Sequence, residues 1–333
     1  MSVSNNSRLT TGLIRSRLDA FRCPFCGNDE TPRFFPACHD TGRRLEVREC
    51  DRCQAAWQWP RAHADIEESA KCFDVAYKRN DAYFNSERKD LISGICLDYL
   101  DGLVEQRGRL LDIGAGFGAF VHAAQGRGWD AHGVEPSTTG VRRAKEQFPN
   151  ADIIHGTLAD IPLDLTFDVI TMWDVVEHLD DPMDLMHEAR KRLRPGGLLV
   201  VETGNYQSAE RSQAGLAWWG YQSDHRWYFT PDTLSRMLHD SGFSNASVAP
   251  RCMRPEARME PWIPSRRNLA ARILRRPWRG RYFLRMYADT QWLRTVAPET
   301  FDLPIFTVVA RRAGDAGKAQ ASRADTTQSM ELV

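Results

Sequence analysis

A chain of 333 residues with 42% hydrophobic side chains is long enough for a full α/β domain and a smaller module. Its 44 basic and 44 acidic residues cancel, so the whole-molecule field gives no reason to expect nucleic acid or an anionic membrane surface as partner. No stretch approaches the roughly 18 apolar residues of a spanning helix, and the N-terminus MSVSNNSRLTTGLIRSRLDAF lacks the apolar centre of a signal peptide. A soluble, cytoplasmic protein is predicted.

In chain order, a flexible tail covers 1–20 and a cysteine-rich module covers 21–60. Cys23-Pro-Phe-Cys26 and Cys50-Asp-Arg-Cys53 are two CxxC knuckles separated by a short β-like stretch, the spacing of a zinc ribbon. Four thiolates leave no position open to water, so the zinc is expected to be structural. Cys38 or His39 as a replacement ligand, or a disulfide pair, are the alternatives; Cys72, Cys96 and Cys252 read as isolated, mostly buried cysteines. A polar, helix-rich connector covers 61–107.

From residue 108 strand and helix patterns alternate: strand RLLDI, helix FGAFVHAAQGRG, strand DAHGVE, helix STTGVRRAKEQF, strands ADIIH and FDVITMW, helix PMDLMHEARKRL, strand GLLVVET. Asp181 before Pro182 and Thr230 before Pro231 are helix starts, and Gly242 is a stop. The pattern predicts an α/β, doubly wound, Rossmann-like sheet of seven strands, the last two near SNASVAP and DLPIFTVVARR. Gly114, Gly116 and Gly118 sit where the first of these strands hands over to a helix, so the backbone can turn and admit a ligand. With Ala119 they also satisfy G-x-G-x-x-A, and alone they do not separate a dinucleotide from another adenosine ligand. Asp112 lies before the glycines, Glu135 ends the next strand where an acid accepts ribose hydroxyls, Thr157 and Leu158 follow the third strand, and Trp173 and Asp174 close the fourth. An acid beside the turn, a ribose acid and no P-loop lysine suit S-adenosylmethionine, which carries a sulfonium and an ammonium but no phosphate.

Four ordered stretches, LLDIGAGFGAF, GVEPS, FDVITMWDVVEHLDDP and RLRPGGLLVVETGN, resemble the motifs of the class I S-adenosylmethionine-dependent methyltransferases, in particular the methyltransferase-23 type. The resemblance covers roughly Leu110 to Phe243. A zinc ribbon followed by this core is also similar to the sugar C-methyltransferases, whose CxxC modules fold over the substrate side. It implies a methyltransferase domain over 108–313. The turn Gly114-Ala115-Gly116-Phe117-Gly118 would hold the methionine part, Glu135 and Pro136 the ribose, and Thr157 and Leu158 the adenine.

The chemistry would be an in-line displacement at the sulfonium methyl, with a base where the nucleophile carries a proton. His178, after the fourth strand, and His225, beside Asp224 and near Tyr221 and Tyr228, are the candidates. Glu177 and His178 read either as a framework pair or as catalytic, and His225 either as substrate-side or as packed among Trp218, Trp219 and Trp227. An arginine-rich helical insertion over 250–300 either meets an anionic or carrier-linked substrate or is a solvated face. The tail 314–333 is polar enough to be disordered. Three functions follow: a methyltransferase acting on oxygen or carbon of a small biosynthetic molecule, such as a sugar or a nucleotide-linked or phosphorylated intermediate; an RNA base methyltransferase, which the neutral charge disfavours; or a non-catalytic S-adenosylmethionine-binding protein. The acceptor and the oligomeric state stay open.

Overall fold

A computed structural model describes residues 22–36, 38, 42–59, 86–249 and 305–313. The N-terminal tail, His39, Cys72, Cys252, most of the connector, the arginine-rich insertion and the C-terminal tail lie outside the described residues.

The cysteine module contributes three short strands, β1 (Arg33–Phe34), β2 (Glu46–Glu49) and β3 (Ala56–Trp59). Helix α1 (Ser86–Asp101) then leads into β4 (Arg109–Ile113), α2 (Ala119–Gly126), β5 (Asp130–Glu135), α3 (Thr138–Gln147) and β6 (Ile153–His155). The chain continues through β7 (Phe167–Trp173), α4 (Pro182–Arg192), β8 (Leu193–Gly204), α5 (Ala209–Ala214), β9 (Trp227–Tyr228), α6 (Pro231–Asp240), β10 (Phe243–Ala249) and β11 (Ile305–Arg312). The local signals act as the sequence predicts. Asp181 accepts the Asp184 N–H at 3.1 Å to start α4, Thr230 and Thr233 cap α6 reciprocally, and Gly242, at φ +85°, ends it.

Seven strands form one sheet in the order β10-β11-β8-β7-β4-β5-β6. β4 to β8 are parallel, and β11 runs antiparallel between β8 and β10. Apolar residues cover both faces, as a sheet sandwiched by helices requires. Leu111, Ile170, Met172 and Val201 face Met186 and Ala189 of α4 and Leu234 and Met237 of α6. The alternate residues Leu110, Val169 and Val200 face Leu97 and Leu100 of α1 and Phe120, Val121 and Ala124 of α2, with Cys96 buried among them.

The second sheet has the order β1-β2-β3-β9, all antiparallel. Its fourth strand belongs to the large domain: Ala56 pairs with Tyr228 and Trp57 with Trp227. No helix among the described residues is long and apolar enough to cross a membrane.

Asp101 ties α1 to the strand that follows and to α2. Its carboxylate accepts two hydrogen bonds from Arg107 at 2.9 Å each, and one each from Trp129 Nε1 at 3.1 Å and Arg127 at 3.3 Å. These donors, Arg107 first, hold the carboxyl below its ordinary range. A depressed folded pKa stabilises the fold above the unfolded carboxyl pKa near 4, and this contribution is lost as pH falls through the folded value. Asp101→Asn should therefore cost about 1 kcal/mol at pH 7, screened because the group is partly exposed. The difference from wild type in denaturant titrations should shrink below about pH 4.

Candidate active site

In an open α/β sheet the ligand crevice opens where the strand order reverses. Here the chain runs outward from β4 to β5 and β6, then crosses back to β7 and β8, so the crevice lies beyond the ends of β4 and β7.

The β4 exit is a glycine-rich loop that has no room for a side chain at Gly114. Gly114, Gly116 and Gly118 have φ of +75°, +56° and +77°, and a Cβ on Gly114 would lie 2.6 Å from Val175 Cγ2. The N–H groups of Gly114 and Ala115 both donate to the Val134 carbonyl, at 2.9 and 3.1 Å, which anchors the loop to β5. Phe117 is buried against Ala144 of α3. Glu135 is buried, and its two oxygens accept the N–H groups of Gly116 and Ser137 at 2.8 Å each. One carboxylate thus fixes both the glycine turn and the start of α3. Asp112 is buried too and accepts the Thr171 hydroxyl at 2.7 Å. Pro136 presents its carbonyl to His155 Nε2 at 3.2 Å.

After β6, Thr157 caps a short 3-10 turn over Leu158–Asp160: its hydroxyl accepts the Ala159 N–H at 3.3 Å, and its own N–H donates to Asp160 at 2.7 Å. Leu158 is buried. Trp173, at the end of β7, packs edge-on against Phe120, and its buried indole N–H has no hydrogen-bond acceptor among the described residues. Asp174 adopts φ +55°, uncommon for a residue with a Cβ, and its N–H donates to the Glu202 carbonyl at 3.1 Å.

A 3-10 turn at Val176–His178 follows. Glu177 is buried, accepts the Thr203 hydroxyl at 2.9 Å, and receives the Arg226 N–H on its main-chain carbonyl at 2.7 Å. His178 Nδ1 donates to the Asp224 carbonyl at 3.1 Å and lies 3.6 Å from the Asp224 carboxylate. His225 meets His178 edge to face, ring centroids 4.7 Å apart, and a ring N–H faces the Gly220 carbonyl. Burial, then the neighbouring His178, brings His225 down to about 4. Burial, reinforced by Asp174, lifts Glu177 to about 7. For His178 the burial cost is outweighed by Asp224 and Glu177, and its pKa rises. One ligand atom from each of Glu177, His178 and His225 lies within 4.8 Å of the others.

The structure thus gives Asp224 to His178, where the sequence pairs it with His225. Tyr221 is buried in an aromatic cluster with Trp218, Tyr228 and Phe34. Beside it Tyr206 donates to Glu49 of β2 at 2.7 Å and accepts from Arg211 at 2.6 Å. Glu202, Thr203 and this triad carry no sequence signature, because their partners are distant in the chain.

The four knuckle cysteines converge. Cys23 and Cys53 sulfurs lie 3.4 Å apart, Cys26 and Cys50 3.5 Å, and all four fall within 4.8 Å. Tetrahedral zinc with Zn–S bonds of about 2.3 Å has sulfur–sulfur edges of about 3.8 Å, so the cage fits zinc with little adjustment. Each knuckle closes the same way: Gly27 N–H to the Cys23 carbonyl and Gln54 N–H to the Cys50 carbonyl, both 2.8 Å, with φ of +69° and +60°. Burial pushes the Cys23 and Cys53 thiols up, Cys53 to about 11, an opposition to thiolates that a dication offsets. Cys38 is buried in a separate cluster with Leu45, Val47 and Tyr221. Phe25, inside the first knuckle, packs on Trp227 with centroids 5.2 Å apart, and Gln58 N–H donates to the Arg226 carbonyl at 2.9 Å. The module therefore grips the segment that carries His225.

Residues 84–248 match the family model of the methyltransferase-23 domain. The ubiquinone biosynthesis O-methyltransferase of Rhodopseudomonas palustris (strain BisB18) is 26% identical over 207 residues, 59% of this chain and 78% of its own. That of Cereibacter sphaeroides (strain ATCC 17025 / ATH 2.4.3) is 32% identical over 146 residues, 40% of this chain and 59% of its own. A chain in the complex of the Haloferax volcanii Trm112 methyltransferase activator with a methyltransferase shares the fold. It has a TM-score of 0.50 at 16% identity and covers 75% of this chain and 98% of that one. The glycine turn and the strand order lie within the matched span, and residues 84–248 form a class I S-adenosylmethionine-dependent methyltransferase domain.

Proposed function

We propose that this enzyme transfers the methyl group of S-adenosylmethionine to an oxygen of a small biosynthetic molecule. The observation that carries the reading is the placement of two unlike sites at the ends of paired strands: the glycine turn after β4 and the Glu177, His178, His225 cluster after β7. The relatives named O-methyltransferases favour oxygen over carbon. Zinc in the four-cysteine cage is part of the proposal, as is a cytoplasmic setting, where reducing conditions keep such thiols available to a metal.

When bound, S-adenosylmethionine supplies an electrophilic methyl on a sulfonium. Asp112 and the backbone of Gly114, Ala115, Gly116, Phe117 and Gly118 would hold its methionine part. Glu135 and Pro136 would meet the ribose, Thr157 and Leu158 the adenine, and Trp173 and Asp174 would close the methyl side. Bonds from the Gly116 and Ser137 N–H groups hold the Glu135 carboxylate in place. On the acceptor side His225 would take the proton that the acceptor oxygen loses as it receives the methyl group. His178, held by Asp224, positions that ring, and Tyr221 acts at one remove through the aromatic wall.

Calorimetric titration tests the cofactor half. S-adenosylmethionine and S-adenosylhomocysteine should bind at micromolar levels, NAD should not bind, and Glu135→Ala should weaken the first two at least tenfold. For the acceptor half, His225→Ala should lower turnover about 100-fold or more with S-adenosylmethionine affinity near wild type; unchanged turnover removes His225 from the mechanism. Purified protein should hold one zinc per chain by elemental analysis, and Cys23→Ser should lose both the zinc and several degrees of thermal stability.

A further inference from the structure

We propose that the indole N–H of Trp218 binds the methyl acceptor, and that it selects acceptors that carry an uncharged carbonyl oxygen in addition to the hydroxyl that is methylated. This rests on the reading that the acceptor meets His225, and it narrows that reading to a substrate class.

Trp218 is 2% exposed, and its Nε1 is buried with no hydrogen-bond acceptor among the described residues. Other indoles are satisfied: Trp219 donates to Glu210 at 2.9 Å, Trp227 to the Leu179 carbonyl at 2.7 Å and Trp129 to Asp101 at 3.1 Å. A buried donor without a partner costs its desolvation and returns nothing. A purely apolar ring would fill the cluster of Tyr206, Tyr221 and Tyr228 without that cost, so packing does not account for an indole here. The N–H has its use when something else occupies the site.

The backbone sets this donor close to the base. Gly220 packs so tightly on the indole that a Cβ there would overlap Cη2 and Cζ3 of the ring, and the Gly220 carbonyl accepts a ring N–H of His225. Trp218 and His225 thus flank one glycine. On its other side the indole stands over the exit of β8. A Cβ on Gly204 would lie 3.7 Å from Trp219 Cη2 and 3.9 Å from Trp218 Cη2 and Cζ2, ordinary contact distances, so glycine leaves a slot there. Cζ2 is the benzene-ring carbon nearest to Nε1, which puts the N–H at the edge of that slot. Thr203, one residue back along β8, donates to Glu177, so the slot opens on the rim that carries the buried acid and both histidines. The charge nearby favours an uncharged oxygen. Arg211 lies over the Tyr206 ring at 3.9 Å and is already engaged by Glu49 at 3.4 Å, and a buried carboxylate needs a cation of its own. A carbonyl oxygen accepts the indole N–H with no charge to desolvate, and this second point of attachment turns the hydroxyl of the same molecule toward His225.

The test uses full-length, zinc-loaded protein saturated with S-adenosylhomocysteine and isotope-labelled at tryptophan and histidine nitrogens. The Trp218 indole and His225 ring resonances are assigned by their loss in Trp218→Phe and His225→Ala. The meta and para isomers of hydroxyacetophenone are the probes, and the ethylphenols of the same pattern, which lack the carbonyl, are their matches. A hydroxyketone should move the Trp218 indole proton downfield and shift His225, whereas its ethylphenol should shift His225 alone. Wild type should prefer the ketone about tenfold, and Trp218→Phe should reduce that preference to within about twofold. Gly204→Val, which fills the slot and keeps the indole, should weaken the ketone at least tenfold. S-adenosylhomocysteine affinity within twofold of wild type in both variants shows that they fold. A His225 shift with an unmoved Trp218 signal, or an undiminished preference in Trp218→Phe, overturns the carbonyl site and leaves the acceptor at His225. So does an ordered water that cross-relaxes with the Trp218 N–H and stays in place when the ketone binds. No response of either resonance to millimolar phenols overturns the carbonyl site and, with it, the placement of the acceptor at this rim.

Discussion

The site depends on the parallel pairing of β4 with β7, in the register Leu110 with Val169 through Ile113 with Met172. Because the two strands run the same way, their exits emerge side by side, and the chain leaving each must make room for the other. At β4 the room comes from Gly114, where any side chain would collide with Val175. At β7 it comes from Asp174, which turns through a left-handed conformation while its N–H is held by the Glu202 carbonyl of β8. Such a conformation costs of order 1 kcal/mol in a residue with a Cβ, and persists where surrounding contacts over-determine it. The crevice is therefore a consequence of strand order, and the residues lining it are those that tolerate the crowding.

The cysteine module is continuous with this arrangement. Strands of two and four residues do not make a stable sheet alone. Here they gain a fourth strand from the large domain, and Trp57 and the cage cysteines share one apolar cluster with Leu111, Ile170, Trp227 and Phe229. The same contacts fix the segment that carries His225. Trp227 is clamped between Phe25 and the Leu179 carbonyl, which its indole N–H reaches at 2.7 Å. His225 lies two residues before that clamp, so the folding of the module and the orientation of the ring are coupled.

Much of this was legible in the sequence wherever the signal is local. The seven strands of the large sheet were readable from alternating patterns, and the caps at Asp181 and Thr230 from residue type, because those bonds span only three positions. The glycine turn was readable because positive φ at close spacing requires glycine. What was not legible is non-local. Strand β9 is two residues long and exists because β3 lies beside it, some 170 residues earlier in the chain. Asp224 adjoins His225 in sequence, yet its carbonyl and carboxylate turn to His178, 46 positions away. Tyr221 looks like a member of the histidine loop but is drawn into the aromatic cluster by Trp218 and Tyr228, a choice made by packing and invisible to spacing.

The strand ends also bear on the ligand proposed for the crevice. Asp112 of β4, Glu135 of β5, Glu202 of β8 and Glu177 just after β7 are all buried. Burying a carboxylate is costly unless hydrogen bonds satisfy it, and each has them: Thr171 on Asp112, two backbone N–H groups on Glu135, Thr203 on Glu177 and Thr307 on Glu202. A pyrophosphate brought to this rim would meet repulsion from several directions. A sulfonium with an ammonium nearby meets attraction, and its positive charge offsets part of what the fold spends in gathering the acids. The glycine turn is common to both kinds of adenosine ligand, so in the proposed reading the acids around it, and not the glycines, would select the cation.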